Sequence, residues 1–321
     1  MGRYISRQIL TIIPTILLSV VINFMLLHAA PGDPARIYAG RDTATPEQIE
    51  AMRKSLGLDK PVPVQFVNYI KELLQGNLGT SQAYRQPVLD LILDRMPATL
   101  LLTFSSAVIA FALGILMGAW TARRSNSKTD IGVSFVNYAL FSIPSFWLGL
   151  IFIVIFASKL GWFPTSGMRT ARAEYTGLDD WIDVARHLVL PMLTLILVQV
   201  PIFYRVTRAS VAEQQSEAYV QTFRATGMPE DRIFRKYALR NAILPPVTVF
   251  GLNLGYVVTG AALVEIVFAW PGIGRLALDA VYKRDYPLLL GIYLILAIAV
   301  SVCILLTDVV YAWLDPRIRL R

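Results

Sequence analysis

Six stretches of this chain are apolar over lengths that few soluble folds bury: 9–30, 98–122, 131–157, 188–204, 246–268 and 288–313. A helix needs roughly 20 such residues to cross the hydrocarbon core of a bilayer. None of the stretches alternates apolar and polar residues as a barrel strand would. Backbone polar groups in lipid must be satisfied internally, so helices remain as the solution. Composition agrees: of 321 residues, 55% are hydrophobic and 16% charged. A soluble domain carries about 25% charged residues. The expected fold is an all-α integral membrane protein with six transmembrane helices and no sheet. The same balance excludes a disordered chain and argues against a soluble enzyme.

The first stretch has a basic start, Arg3 and Arg7, like a secretory signal. Its apolar run of 22 residues is too long for that reading, since a signal core spans about 7–15. No A-x-A pattern stands at its exit, His28-Ala29-Ala30-Pro31. It is expected to be a retained helix.

Lys and Arg near helix ends set orientation. With the N-terminus inside, the inner and outer segments each hold 15 basic residues. Segment 31–97, however, is 67 residues long, and loops beyond about 60 residues cross largely regardless of charge. Setting it aside leaves 15 inside against 7 outside. Both termini are then expected in the cytoplasm of a multi-pass inner-membrane protein. The net charge of +8 is accounted for at the inner face, so nucleic acid is not an expected partner; lipid is.

Three regions follow. Residues 1–30 form a cytoplasmic N-terminus and the first span. Residues 31–97 form a small extracytoplasmic segment. Residues 98–321 form a five-helix core with a cytoplasmic loop at 205–245. Within the outer segment, Thr45 is a plausible N-cap for a helix from Glu47 to Leu56, with Gly57 as its stop. A second run, Val64 to Leu74, has amphipathic spacing. It suits either packing on the outer mouth of the bundle or docking of a receptor.

Catalytic chemistry is poorly represented. There is no G-x-x-x-x-G-K-[ST], H-E-x-x-H or G-x-S-x-G. Cys303 is the one cysteine, and His28 and His187 are far apart in sequence. No catalytic residue and no metal site is expected. Glu265 and Asp308 are carboxylates near span ends; each is expected to pair with an Arg or a helix terminus. Proton-coupled carriers place such groups near the midplane, so a stand-alone secondary transporter is the weaker reading, and a membrane enzyme weaker still. Gly114-x-x-x-Gly118 and Gly251-x-x-x-Gly255 allow close helix approach, within this chain or between chains. Asn137, Ser142, Ser145, Gln199 and Asn253 are polar residues that a translocation path would use.

The loop 205–245 is the most informative segment. Its first half reads Glu217-Ala-Tyr-Val-Gln-Thr-Phe-Arg-Ala-Thr-Gly227. Met228-Pro229-Glu230-Asp231 then opens a second helix, with Pro in the first turn and carboxylates at the positive dipole end. Leu239-Arg240-Asn241-Ala242-Ile243-Leu244-Pro245-Pro246 closes it. Two short helices are expected to meet at Gly227 as an αL cap. Their bulky groups, Tyr219, Val220, Phe223, Ile233, Phe234 and Tyr237, either pack beneath the bundle or fit a groove on a cytosolic partner.

This loop resembles the coupling motif of ABC importer permease subunits. Gln221-Thr222-Phe223 stands where the general E-A-A would be, and the stretch from Gly227 to Pro245 is longer than the general pattern. Both departures resemble the dipeptide, oligopeptide and nickel branch. There Tyr219, Val220, Thr222, Arg224, Ala225 and Gly227 fit its first half, and Leu239, Arg240, Asn241, Ala242, Leu244 and Pro245 its second. Pro31-Gly32-Asp33-Pro34, Leu56-Gly57-Leu58-Asp59-Lys60-Pro61, Ser142-Ile143-Pro144-Ser145-Phe146-Trp147, Trp270-Pro271-Gly272-Ile273-Gly274-Arg275, Arg284-Asp285-Tyr286-Pro287 and Asp315-Pro316-Arg317-Ile318-Arg319 resemble further landmarks of its first permease subunit.

The resemblance implies a type I permease bundle. Tyr219, Thr222, Arg224, Ala225, Gly227, Arg240, Asn241 and Pro245 would couple it to an ATPase. It also implies a second homologous permease, two cytosolic ATPase subunits and an extracytoplasmic binding protein. ATP and Mg would be bound by the ATPase subunits, with no cofactor on this chain. Asn137, Ser142, Ser145 and Asn253 are the path candidates. Short peptides are the expected substrate, with nickel chelates, opines or glycosides as alternatives.

Overall fold

The computed structural model describes residues 2–29, 35–36, 39, 44–55, 59–171, 173, 175–259 and 261–314. The motifs at 31–34, 56–58 and 315–319, and the side chain of Asp308, lie outside the described residues. Every named element among the described residues is helical. In order they are α1 (Gly2–Ala29), α2 (Pro46–Ser55), α3 (Val62–Leu74), α4 (Val88–Ala122), α5 (Lys128–Ser142), α6 (Ser145–Phe152, continued by a π-helical turn at Ile153–Lys159), α7 (Leu178–Ser216), α8 (Ala218–Ala225), a helical run over 230–242, α9 (Leu244–Thr259), α10 (Ala262–Val267), α11 (Ile273–Tyr282) and α12 (Tyr286–Leu314).

All six apolar stretches are helical over most of their length, but two are interrupted. The third breaks at Ile143-Pro144, and its halves α5 and α6 are bent by 100°. Proline disfavours helix in the residue before it, and Ile143 adopts an extended ψ of 126°. The fifth divides into α9 and α10. Others run longer than their apolar core: α7 spans 39 residues and α4 spans 35. Helices α4 and α7 and the Tyr286–Thr307 part of α12 are each long and apolar enough to cross a membrane, and α5 with α6 makes a fourth as a bent pair.

The chain divides into two compact units, 1–97 with 276–302 and 98–275 with 303–321. In the first, Asn23 of α1 donates to Leu290 O of α12 at 3.1 Å. Helix α3 lies on α1 through Phe66 and Phe24, whose rings are 5.1 Å apart, while Gln65 and His28 share a hydrogen bond of 2.9 Å. Thr45 caps α2 reciprocally with Gln48, as the capping-box spacing requires.

In the second unit, Leu102, Leu148, Phe152, Leu190, Val264 and Trp270 form a buried core between α4, α6, α7 and α10. Gly114, Gly118 and Gly251 pack within the chain. Gly114 and Gly118 of α4 lie against Phe203, Tyr204 and Thr207 of α7, and Gly251 of α9 lies against Thr307 of α12. Thr307 Oγ1 donates to Gly251 O at 2.9 Å, using the space that the missing side chain leaves.

Glu265 is fully buried on α10. Thr99 Oγ1 donates to its carboxylate at 2.9 Å, and Arg275 N, in the first turn of α11, donates at 3.0 Å. Thr99 in turn accepts from Ile273 N at 2.7 Å. The expectation that this carboxylate meets a helix terminus holds, and no midplane relay is needed to explain it. Gly272 and Gly274 have no room for a Cβ because that carboxylate, and for Gly274 also Ala262, fills the space.

Candidate coupling site

The loop read as starting at 205 is helical through Ser216, because α7 continues without a break from the apolar stretch. Arg208, on that extension, grips Asp130 with Nε and Nη2, both at 2.7 Å. Asp130 is 1% exposed and sits in the first turn of α5. Ser127 caps that turn by accepting from Asp130 N at 3.1 Å, and the carboxylate also accepts from Asn126 N at 3.1 Å. Asp130 was missed from sequence, although Ser127-x-x-Asp130 has capping-box spacing.

Glu217, extended at ψ 147°, turns the chain from α7 into α8. Helix α8 ends at Gly227, whose φ of 76° is left-handed. Met228 N donates to Phe223 O at 3.1 Å and Gly227 N to Arg224 O at 3.0 Å. These two bonds are the Schellman pattern, and they satisfy carbonyls that a helix end leaves open. The αL cap expected at Gly227 is therefore present. Nothing lies within 4 Å of where a Gly227 Cβ would be.

The second helical run opens at Pro229 and includes a π-helical turn, Ile233–Ala238. Arg224 bridges to Glu230 across the glycine turn, at 2.7 and 3.3 Å. That guanidinium holds the Glu230 carboxyl below its ordinary range. Asp231 meets Arg123 and Arg235, each at 3.0 Å. The loop is thus pinned to the turn that joins α4 to α5.

Of the bulky residues, Val220 and Ile233 are buried, and Tyr219, Phe223, Phe234 and Tyr237 are half-buried. The small Ala238 and Ala242 are buried too, and Ala242 packs with Ala119, Ala122 and Val211, covered by Phe234 and Leu239. The Phe223 and Tyr237 rings lie 4.4 Å apart. What α8 and its cap show to solvent is small or polar: Gln221, Thr222, Arg224, Ala225, Thr226 and Gly227. Thr222 Oγ1 bonds back to Ala218 O at 3.0 Å. Tyr219 and Asn241, 22 positions apart, are brought to 3.4 Å, and Tyr219 donates to Gln214 at 2.8 Å. Arg240 and Pro245 are exposed at the far end of the loop.

The path candidates are not brought together by any hydrogen bond between them. Ser142 donates to Tyr138 O and Asn253 to Val249 O, each on its own helix. Ser145 and Gln199 are half-buried. Asn137, 1% exposed, donates to Val133 O at 2.9 Å, while its Oδ1 has no partner among the described residues.

Comparison with known proteins places the chain in a family. The N-terminal region of binding-protein-dependent transport system membrane components matches residues 1–103, and the inner membrane component proper matches residues 110–320. The chain is 37% identical to the oligopeptide transport system permease protein AppB of Bacillus subtilis (strain 168), over 99% of both chains. It is 37% identical to the di/tripeptide transport system permease protein DppB of Pseudomonas aeruginosa (strain UCBPP-PA14), again over 99% of both. It is 39% identical to the glutathione transport system permease protein GsiC of Salmonella typhimurium (strain LT2), over 99% of both. Among solved structures, the inward-facing MetNI methionine ABC transporter shares the fold with a TM-score of 0.56 and 19% identity, over 70% of this chain and 96% of that one. The chain belongs to the family of binding-protein-dependent transport system inner membrane components.

Proposed function

We propose that this chain is one of two permease subunits of an ATP-driven ABC importer of short peptides. The observation that carries the reading is α8. It is a capped surface helix with a small, polar outer face, at the cytoplasmic place where the resemblance puts ATPase contact. Relatives similar over their whole length are named for oligopeptide, di/tripeptide and glutathione transport, which supports a peptide substrate.

In this reading six spans cross the inner membrane, both termini are cytoplasmic and 31–97 lies outside. The chain breaks no bond. Two ATPase subunits bind ATP and Mg, and their closure moves α8. The bonded loop and the continuous α7 carry that movement into the bundle. Substrate passes from an external binding protein along a path shared with the second permease. Tyr219, Thr222, Arg224, Ala225, Gly227, Arg240, Asn241 and Pro245 form or support the ATPase contact. Asn137, Ser142, Ser145 and Asn253 remain the path candidates, with the buried Asn137 amide the best placed.

The test is co-purification of the ATPase subunits with wild type and with Gly227→Val. A valine at φ 76° is strained by about 1–2 kcal/mol and adds bulk to an open surface. Normal membrane levels with lost ATPase binding or lost coupling are expected. Unchanged binding, hydrolysis and uptake would refute this role for the loop. For orientation, a cysteine at exposed Asn77 in a Cys303→Ser background should be labelled in intact cells; labelling only after permeabilisation would invert the topology.

A further inference from the structure

The turn at 81–87 and the turn at 283–285 both lie in the first unit and are locked together by one carboxylate. Asp285 is 2% exposed. It accepts from Ser81 Oγ at 2.5 Å and from Ala83 N at 3.0 Å. Ser81 Oγ also accepts from Tyr84 N at 3.1 Å, and Lys283 Nζ sits 4.0 Å over the Tyr84 ring. On this base stand Arg85 and Arg284, both exposed. Both hold left-handed backbone, with φ of 54° and 53°. Among the described residues neither they nor Lys283 form an ion pair. Tyr282, 77% exposed, adjoins them.

Left-handed arginines persist only where surrounding structure over-determines them, and such outliers cluster at functional sites. The Arg284-Asp285-Tyr286-Pro287 motif therefore does two things. Its Asp is consumed in joining the turns, and its Arg is held outward. Two arginines and two tyrosines are residue types that protein interfaces favour, and Lys283 adds charge of the kind found at an interface rim. Anionic lipid head groups need no rigid, paired turns to be met by basic side chains.

We propose that Arg85, Lys283 and Arg284, with Tyr84 and Tyr282, form a docking platform for an acidic surface of the soluble binding protein. The proposal rests on the importer reading and on these turns facing outward. The experiment uses the full complex in nanodiscs of zwitterionic lipid and of anionic lipid, with the cognate binding protein. Binding affinity and ATPase rate, with and without the binding protein, are measured for wild type, Arg85→Glu/Arg284→Glu and Arg85→Lys/Arg284→Lys. The charge reversal should weaken binding by about tenfold or more and flatten its salt dependence in both lipids. Basal ATPase should be unchanged, and the lysine variant should stay within about threefold of wild type. Equal binding by wild type and the reversal overturns the platform while leaving the importer reading intact. A loss seen only in anionic lipid assigns the patch to lipid and overturns it too. Absence of any binding-protein effect on wild type overturns both the platform and the importer reading beneath it.

Discussion

Asp130 and Arg208, 78 positions apart, are joined by two hydrogen bonds of 2.7 Å in a fork that closes the start of α5 onto α7. The carboxylate is buried, and the guanidinium is about one-third exposed at 32%. Removing one partner of a fully buried pair costs about 3–5 kcal/mol. Solvent around Arg208 reduces that, so Asp130→Asn should cost about 1–3 kcal/mol. Arg208→Lys keeps the charge but not the fork, and should lose part of the same stability. Thermal unfolding in detergent measures both. A double mutant no worse than either single would show that the two act as one unit.

The glycines make opposite predictions according to what surrounds them. A Cβ on Gly118 would lie 2.8 Å from Tyr204 O and 3.0 Å from Arg208 N. Backbone cannot step aside cheaply, so Gly118→Val should destabilise by about 1–3 kcal/mol or more. Gly132, exposed within α5, has nothing within 4 Å. Gly132→Ala should be neutral or stabilise by about 0.5–1 kcal/mol, because alanine is the better helix former. Unfolding midpoints of the two variants, compared side by side, check this contrast.

At Glu265 the hydrogen-bond partners of the carboxylate among the described residues are donors: the Thr99 hydroxyl, left free to donate because it accepts from Ile273 N, and the Arg275 N–H. Glu265→Gln presents an amide NH₂ to a donor and should cost about 1–3 kcal/mol. Gly272→Ala reaches a similar end by driving a methyl into the same carboxylate. Protease resistance of the 259–276 region should fall in both variants, and wild-type resistance in both would contradict this network.

The apolar runs were legible in sequence because lipid and core both demand them. Gly227 was legible because a left-handed helix end leaves few alternatives to glycine. The break at Pro144 was in plain view but was read through, since hydropathy alone does not register a bend. The start of the loop read at 205–245 differs for the reverse reason. Residues 205–216 are polar, yet α7 simply continues through them. Asp130 and the Thr99–Glu265 bond, 166 positions apart, are pairings of side chains that only packing brings together. Whether Gly114, Gly118 and Gly251 served this chain or another was also a question of packing, and Phe203, Tyr204, Thr207 and Thr307 show them packed within the chain.

The Arg224–Glu230 bridge predicts a pH response confined to the glycine turn. Arg224 lowers the Glu230 pKa. Any stability from the bridge is therefore full above the ordinary carboxylate range and is lost as pH falls through the depressed value. Both side chains are exposed, so salt should erase most of the effect. Hydrogen exchange at 226–232 should be slower at neutral pH than in acid once intrinsic rates are corrected, and Glu230→Gln should remove the difference.

The central claim is that this chain moves its substrate only when partner ATPases drive it. Proteoliposomes containing the chain, its partner permease, the ATPase subunits and the binding protein, offered a labelled short peptide, test that directly. Accumulation should require ATP hydrolysis, and should vanish when the ATPase subunits are omitted or when Gly227→Val replaces the wild-type chain. Sustained peptide uptake by this polypeptide alone, without ATP or any ATPase subunit, would contradict the account.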